Sequence, residues 1–259
     1  MKHQKELSKL AFILPSGIGT VIFYLIPLCY CFVYAFSGTS GRFTYAGFKN
    51  YISLFQSGAF RLALGNTYFL MAICIGTLIL LSMGLVYFLD TSKRTLGAML
   101  IFSLPMLLPA TLITRCVEDF SIAPRAALLL IFLWKYTGFH VLLLKAMEMT
   151  MSPERTEAAM LDHATKWQVF TKIRCWYLWP YIRFLIIFDI ICFFRLFRES
   201  YLLYGKYPAD EVYLITNFFF SNFQSLNYQR LSAAAIAALI PILILDGFLL
   251  KAGGKHEMV

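Results

Sequence analysis

Ser152-Pro153-Glu154-Arg155-Thr156-Glu157-Ala158-Ala159-Met160-Leu161-Asp162-His163-Ala164-Thr165-Lys166-Trp167-Gln168-Val169-Phe170 is a polar interruption in an otherwise lipid-soluble chain. It reads as two short helices. Ser152 stands as an N-cap with Pro153 at the first helical position, and Thr165 with Gln168 three residues on forms a capping box. The stretch predicts a helix-turn-helix hairpin outside the bilayer, within a loop at 150–180 that Pro180 closes, where the chain meets a soluble partner.

Outward from the hairpin the chain is apolar. Hydrophobic residues make up 59%, aromatic residues 17% and charged residues 14%, and mean hydropathy is +0.68. A soluble core cannot absorb this much apolar surface. Crossing the hydrocarbon as a helix takes roughly 20 apolar residues. Such runs predict spans at 11–36, 67–89, 97–116, 126–147, 181–203 and 231–250. The expected fold is an all-α polytopic membrane protein, one membrane domain over 1–259 with six transmembrane helices.

The first run follows a basic start, Lys2, Lys5 and Lys9, but is too long for a signal peptide and lacks a small-residue cleavage site. It reads as a retained helix, which places both termini, the loop from Asp90 to Thr95 and the hairpin in the cytoplasm. Lys and Arg are more frequent in those segments, in line with the positive-inside rule. The net charge of +9 is met by anionic membrane lipids and calls for no nucleic acid.

Glu157-Ala158-Ala159, Asp162, Trp167-Gln168, Phe170, Ile173 and Pro180 together resemble the EAA loop of the membrane subunits of binding-protein-dependent ABC importers, in particular the sugar-permease branch that includes maltose and glycerol-3-phosphate systems, which implies Glu157, Ala158, Ala159, Asp162, His163, Ala164, Trp167 and Phe170 as the ATPase-coupling residues. The resemblance implies that the hairpin docks into a cleft on a separate ATPase subunit. His163 stands where that family carries a glycine. Outside glycine, Asn, Asp and His are the residues most tolerant of positive φ. Leu14-Pro15, Pro27, Tyr34-Ala35-Phe36-Ser37, Ala46 to Tyr51, Asn66-Thr67 and Phe194 to Tyr201 resemble further parts of the family in the same order. The segment between spans three and four, Val117 to Pro124, is shorter than the family's external loop.

Polar residues inside spans are functional candidates, because charge in hydrocarbon must face protein or water. Lys135, Tyr136, His140, Asp189, Arg195, Arg198 and Glu199 are the candidates for the solute path. Two arrangements fit them. Arg195 pairs with Glu199 one helical turn on, Lys135 snorkels outward and Asp189 bonds a neighbouring helix; or at least two of these groups line the path. A cationic lining would suit an acidic or phosphorylated sugar, whereas Trp134 and Tyr136 would stack on a neutral one.

Cys29, Cys31, Cys74, Cys116, Cys175 and Cys192, and His3, His140, His163 and His256, show no metal-ligand spacing, so no metal site is expected. Ala233 to Ala235, Ala237 and Ala238 form a small-residue face for helix packing. No Walker A follows from Gly254-Lys255, because His256 comes next. The chain is therefore expected to be a translocation subunit and not an enzyme, with no cofactor of its own. The resemblance implies a second homologous permease, two ATPase subunits carrying ATP and Mg²⁺, an extracytoplasmic solute-binding protein and a prokaryotic plasma membrane. The alternative is an ion-coupled secondary transporter or channel, in which the intramembrane charges form a relay.

Overall fold

The computed structural model describes residues 14–38, 44–89 and 93–251. The basic start at Lys2, Lys5 and Lys9, residues 90–92 and the end from 252 lie outside the described residues. In chain order the helices are α1 (Leu14–Ala35), α2 (Lys49–Gln56), α3 (Gly58–Phe88), α4 (Lys93–Phe102), α5 (Ala110–Glu118) and α6 (Pro124–Glu148). There follow α7 (Pro153–Leu161), α8 (Lys166–Val169), α9 (Cys175–Arg195), α10 (Phe197–Tyr204), α11 (Ile215–Gln224) and α12 (Tyr228–Lys251). No strand occurs among the described residues.

Four helices, α1, α3, α6 and α12, are each long and apolar enough to cross a membrane. They correspond to the expected spans at 11–36, 67–89, 126–147 and 231–250. The run expected as a straight span at 97–116 is instead a pair of helices, Leu96–Leu107 and Ala110–Glu118, bent by 90°. Two prolines cause the break. Pro105 and Pro109 supply no backbone N–H, and Leu108, ahead of Pro109, is held extended at φ −68°, ψ 140°. Counting that pair as one span gives five. The stretch expected at 181–203 is divided between α9 and α10 at Leu196. Neither is among the helices long and apolar enough to cross a membrane, and α9 carries Arg183, Asp189 and Arg195.

The residues group into two compact units, Met1–Arg61 with Phe218–Pro241, and Leu62–Asn217 with Ile242–Val259. In the first unit, α1 accommodates Pro27 by widening to a π-turn at Val21–Leu25 just before it. Asn50 on α2 donates to the carbonyls of Ala35 and Ser37, both at 2.9 Å, satisfying orphan acceptors at the end of α1. Phe36, Phe48 and Tyr51 close ring-on-ring around that joint.

The second unit holds the larger core. Leu70, Cys74, Leu78, Ile113, Leu128, Phe132, Ile190 and Phe193 are buried together. A further cluster joins Val86, Val141, Leu144, Phe170, Leu178, Ile182 and Leu185. Gly138 is where α6 meets the end of α4. A Cβ built there would lie 2.0 Å from the Phe102 carbonyl oxygen, so only glycine permits that approach. Asn66 and Thr67 fasten the 210–215 segment: Asn66 donates to the Tyr213 carbonyl at 3.2 Å, and Thr67 Oγ1 accepts from the Ile215 N–H at 2.8 Å. Arg183 reaches the Leu249 carbonyl at 3.1 Å, tying α9 to the end of α12.

Candidate functional site

The hairpin is built as its sequence dictates. Ser152 occupies the N-cap of α7 with Pro153 inside the first turn, although its side chain makes no capping hydrogen bond. Thr165 and Gln168 cap α8 reciprocally: the Gln168 N–H donates to Thr165 Oγ1 at 3.3 Å and the Thr165 N–H to Gln168 Oε1 at 2.8 Å. Between the helices His163 takes φ 59°. Its N–H donates to Met160 O at 3.1 Å, and the Ala164 N–H to Ala159 O at 3.0 Å. That pair of bonds around one left-handed residue is the Schellman C-cap. A histidine thus fills a position normally given to glycine.

Glu157, Ala158, Asp162, His163 and Trp167 are exposed, while Ala159 and Ala164 are partly covered. Leu161 at 81% and Trp167 at 59% exposure leave apolar surface uncovered at the tip. Phe170, expected among the contact residues, is buried instead. It packs on Tyr87, as Trp167 also does, with ring centroids 5.0 and 5.4 Å away. A π-turn at Phe170–Arg174 carries the hairpin into α9.

Sequence reading missed what fastens this hairpin. Glu148, at the end of α6, accepts from Arg174 at 2.7 Å and from Lys145 at 2.8 Å. Lys145 also donates to the Leu89 carbonyl just beyond α3. Lys145 and Glu148 are buried. One cluster therefore joins the ends of two apolar helices to the second half of the hairpin. Beside it a cavity of about 450 Å³ is lined by Tyr87, Leu89, Met160, Lys166 and Arg174 among others. The available signal was the interruption of an apolar run by Lys145 and Glu148 one turn apart.

Among the path candidates, the expected Arg195–Glu199 pair is not formed. The helix is interrupted at Leu196, which ends α9 and begins α10, and Glu199 instead binds Lys135 at 2.6 Å. Lys135 therefore does not snorkel; it is buried with its partner. Asp189 does bond a neighbouring helix, through His140 Nε2 at 2.9 Å, with both side chains fully buried. Arg195 and Arg198 are exposed. Lys135, Tyr136, Arg195, Arg198 and Glu199 share a cavity of about 600 Å³, whose other wall is the broken segment Met106 to Ala110. His140 and Asp189 are not among its lining.

No protein-family model matches the chain. It is 24% identical over 288 residues to the arabinooligosaccharides transport system permease protein AraP of Bacillus subtilis (strain 168), covering 98% of this chain and 91% of that protein. Among solved structures, a bacterial ABC transporter involved in the import of the acidic polysaccharide alginate is similar over 99% of both chains, with a TM-score of 0.80 and 21% identity. A bacterial alginate ABC transporter in complex with alginate pentasaccharide-bound periplasmic protein is similar over 95% of this chain and 93% of that one, with a TM-score of 0.78 and 22% identity. The chain is a polytopic all-α membrane protein with the fold of these ABC-importer structures, similar in sequence to the arabinooligosaccharide permease.

Proposed function

We propose that this chain is the membrane subunit of an ATP-driven importer, passing a carbohydrate or carbohydrate-like solute from an extracytoplasmic binding protein into the cytoplasm. It works beside a second, homologous permease and two ATPase subunits. The observation that carries the reading is the hairpin: an exposed tip with uncovered Leu161 and Trp167, fastened through Arg174, Glu148 and Lys145 to the helical core. ATP and Mg²⁺ bind in the ATPase subunits, since this chain holds no phosphate-binding loop. Closure of those subunits pushes Glu157 to Asp162 inward, and the fastening delivers that push to α3 and α6. Hairpin and termini face the cytoplasm of a prokaryotic cell. The solute class is supported by the relatives' names, and the binding protein by the alginate complex.

An ion-coupled secondary transporter is the second reading, favoured by the buried Lys135–Glu199 and His140–Asp189 pairs. Gentle purification of the tagged chain from its native host separates the two. Wild type is expected to bring an ATPase and a second permease, and Glu157→Lys with Ala159→Asp to lose the ATPase while keeping the permease. A wild type that brings no ATPase, with nucleotide-independent flux in vesicles holding this chain alone, replaces the importer by the ion-coupled transporter.

A further inference from the structure

The cavity beside the broken helix pair contains more positive charge than its own side chains neutralise. Lys135 lies near the middle of α6, about 17 Å from its Pro124 end and about 20 Å from its Glu148 end. The cavity therefore sits at membrane depth. There Lys135 and Glu199 compensate each other at 2.6 Å. Arg195 and Arg198 line the same space and have no acidic partner among the described residues. Two unpaired guanidinium groups at that depth need water or an anion. A third feature is complementary: Glu199 is 1% exposed, and its Oε2 has no hydrogen-bond donor. A carboxylate oxygen can only accept.

We infer that this cavity recognises an acidic oligosaccharide, with Arg195 and Arg198 taking the carboxylate of a uronate-type sugar and Glu199 accepting from a sugar hydroxyl. The inference rests on the importer reading and narrows its solute. The guanidinium fork matches a carboxylate in bidentate geometry, whereas a neutral sugar leaves both forks unsatisfied. The volume of about 600 Å³ falls within the range of small-molecule sites. The relatives do not decide the matter, since one is named for arabinooligosaccharides, which carry no charge, and another for acidic alginate.

The test uses the complex purified through this chain and placed in lipid nanodiscs, with trigalacturonate and its uncharged analogue galactotriose as probes. Trigalacturonate is expected to bind at least about tenfold more tightly, with a preference that weakens as salt rises. Arg195→Gln with Arg198→Gln should abolish the preference, and the paired Lys variants should restore part of it. Equal or tighter binding of galactotriose overturns the inference and leaves the importer intact. So does an unchanged preference in the Gln variant, or loss of the second permease from it, which would assign the arginines to a subunit interface. If no ATPase accompanies the wild type and neither sugar binds, the importer reading itself fails and takes the inference with it.

Discussion

His163 holds the hairpin's turn at φ 59° with its side chain in solvent, so what it contributes there is backbone shape. Left-handed geometry costs an ordinary L-residue about 1–2 kcal/mol, which glycine avoids at the expense of a floppier unfolded chain. His163→Gly is therefore expected to leave thermal stability within about 1 kcal/mol and to retain the co-purifying ATPase. His163→Val, β-branched and ill suited to positive φ, should lower the melting temperature in a detergent scan and reduce ATPase recovery. This residue and the Thr165–Gln168 box were legible because their signals are local: each is a preference of one residue for one backbone state. The pairing of Lys135 with Glu199 was not. Spacing along a continuous helix favours Arg195 with Glu199, and the interruption of the helix at Leu196 carries neither proline nor glycine.

Elements were legible where they are apolar and unbroken, and α1, α3, α6 and α12 lie where hydropathy placed them. The 90° bend was written in Pro105 and Pro109, yet a hydropathy window averages over both. Gly138 escaped for another reason. A glycine in an apolar run looks merely permissive, and its necessity comes from the Phe102 carbonyl, which sits far away in sequence. Backbone cannot rotate aside as a side chain can. Gly138→Ala is expected to cost at least about 1–3 kcal/mol by forcing α6 off α4, seen as a lowered melting temperature. Gly76→Ala, on α3 with nothing within 4 Å of the added Cβ, is the control and should be neutral or stabilising by up to about 1 kcal/mol.

On the scale of the whole molecule, the proposed importer mechanism makes the Lys145–Glu148–Arg174 cluster the connection between what a partner would push and what would move. Removing one member of a buried ion cluster strands the others, at a cost of about 3–5 kcal/mol. Glu148→Gln keeps the shape but removes the charge and replaces one of the two acceptor oxygens by an amide NH2 that can only donate. In reconstituted complex it is expected to let ATP turnover continue while solute uptake falls several-fold, so that the two rates separate. Parallel loss of both rates would mean that the cluster serves assembly alone. No window along the sequence reveals this arrangement, because its parts lie at the ends of three segments that meet only after folding.

The break between α4 and α5 has a dielectric consequence. Backbone that is not helical at membrane depth must face protein or water, and here Leu108 and Pro109 line the cavity. With water filling that cavity, the insulating slab along this chain would be thinner than the bilayer around it. It is concentrated in the packed layer from Lys135 toward Glu148, about 20 Å along α6, with the His140–Asp189 pair fully buried inside it. Resistance to stray ions would then rest on a few turns of α6 and α9, and a leak conductance would be the first symptom of loosening them.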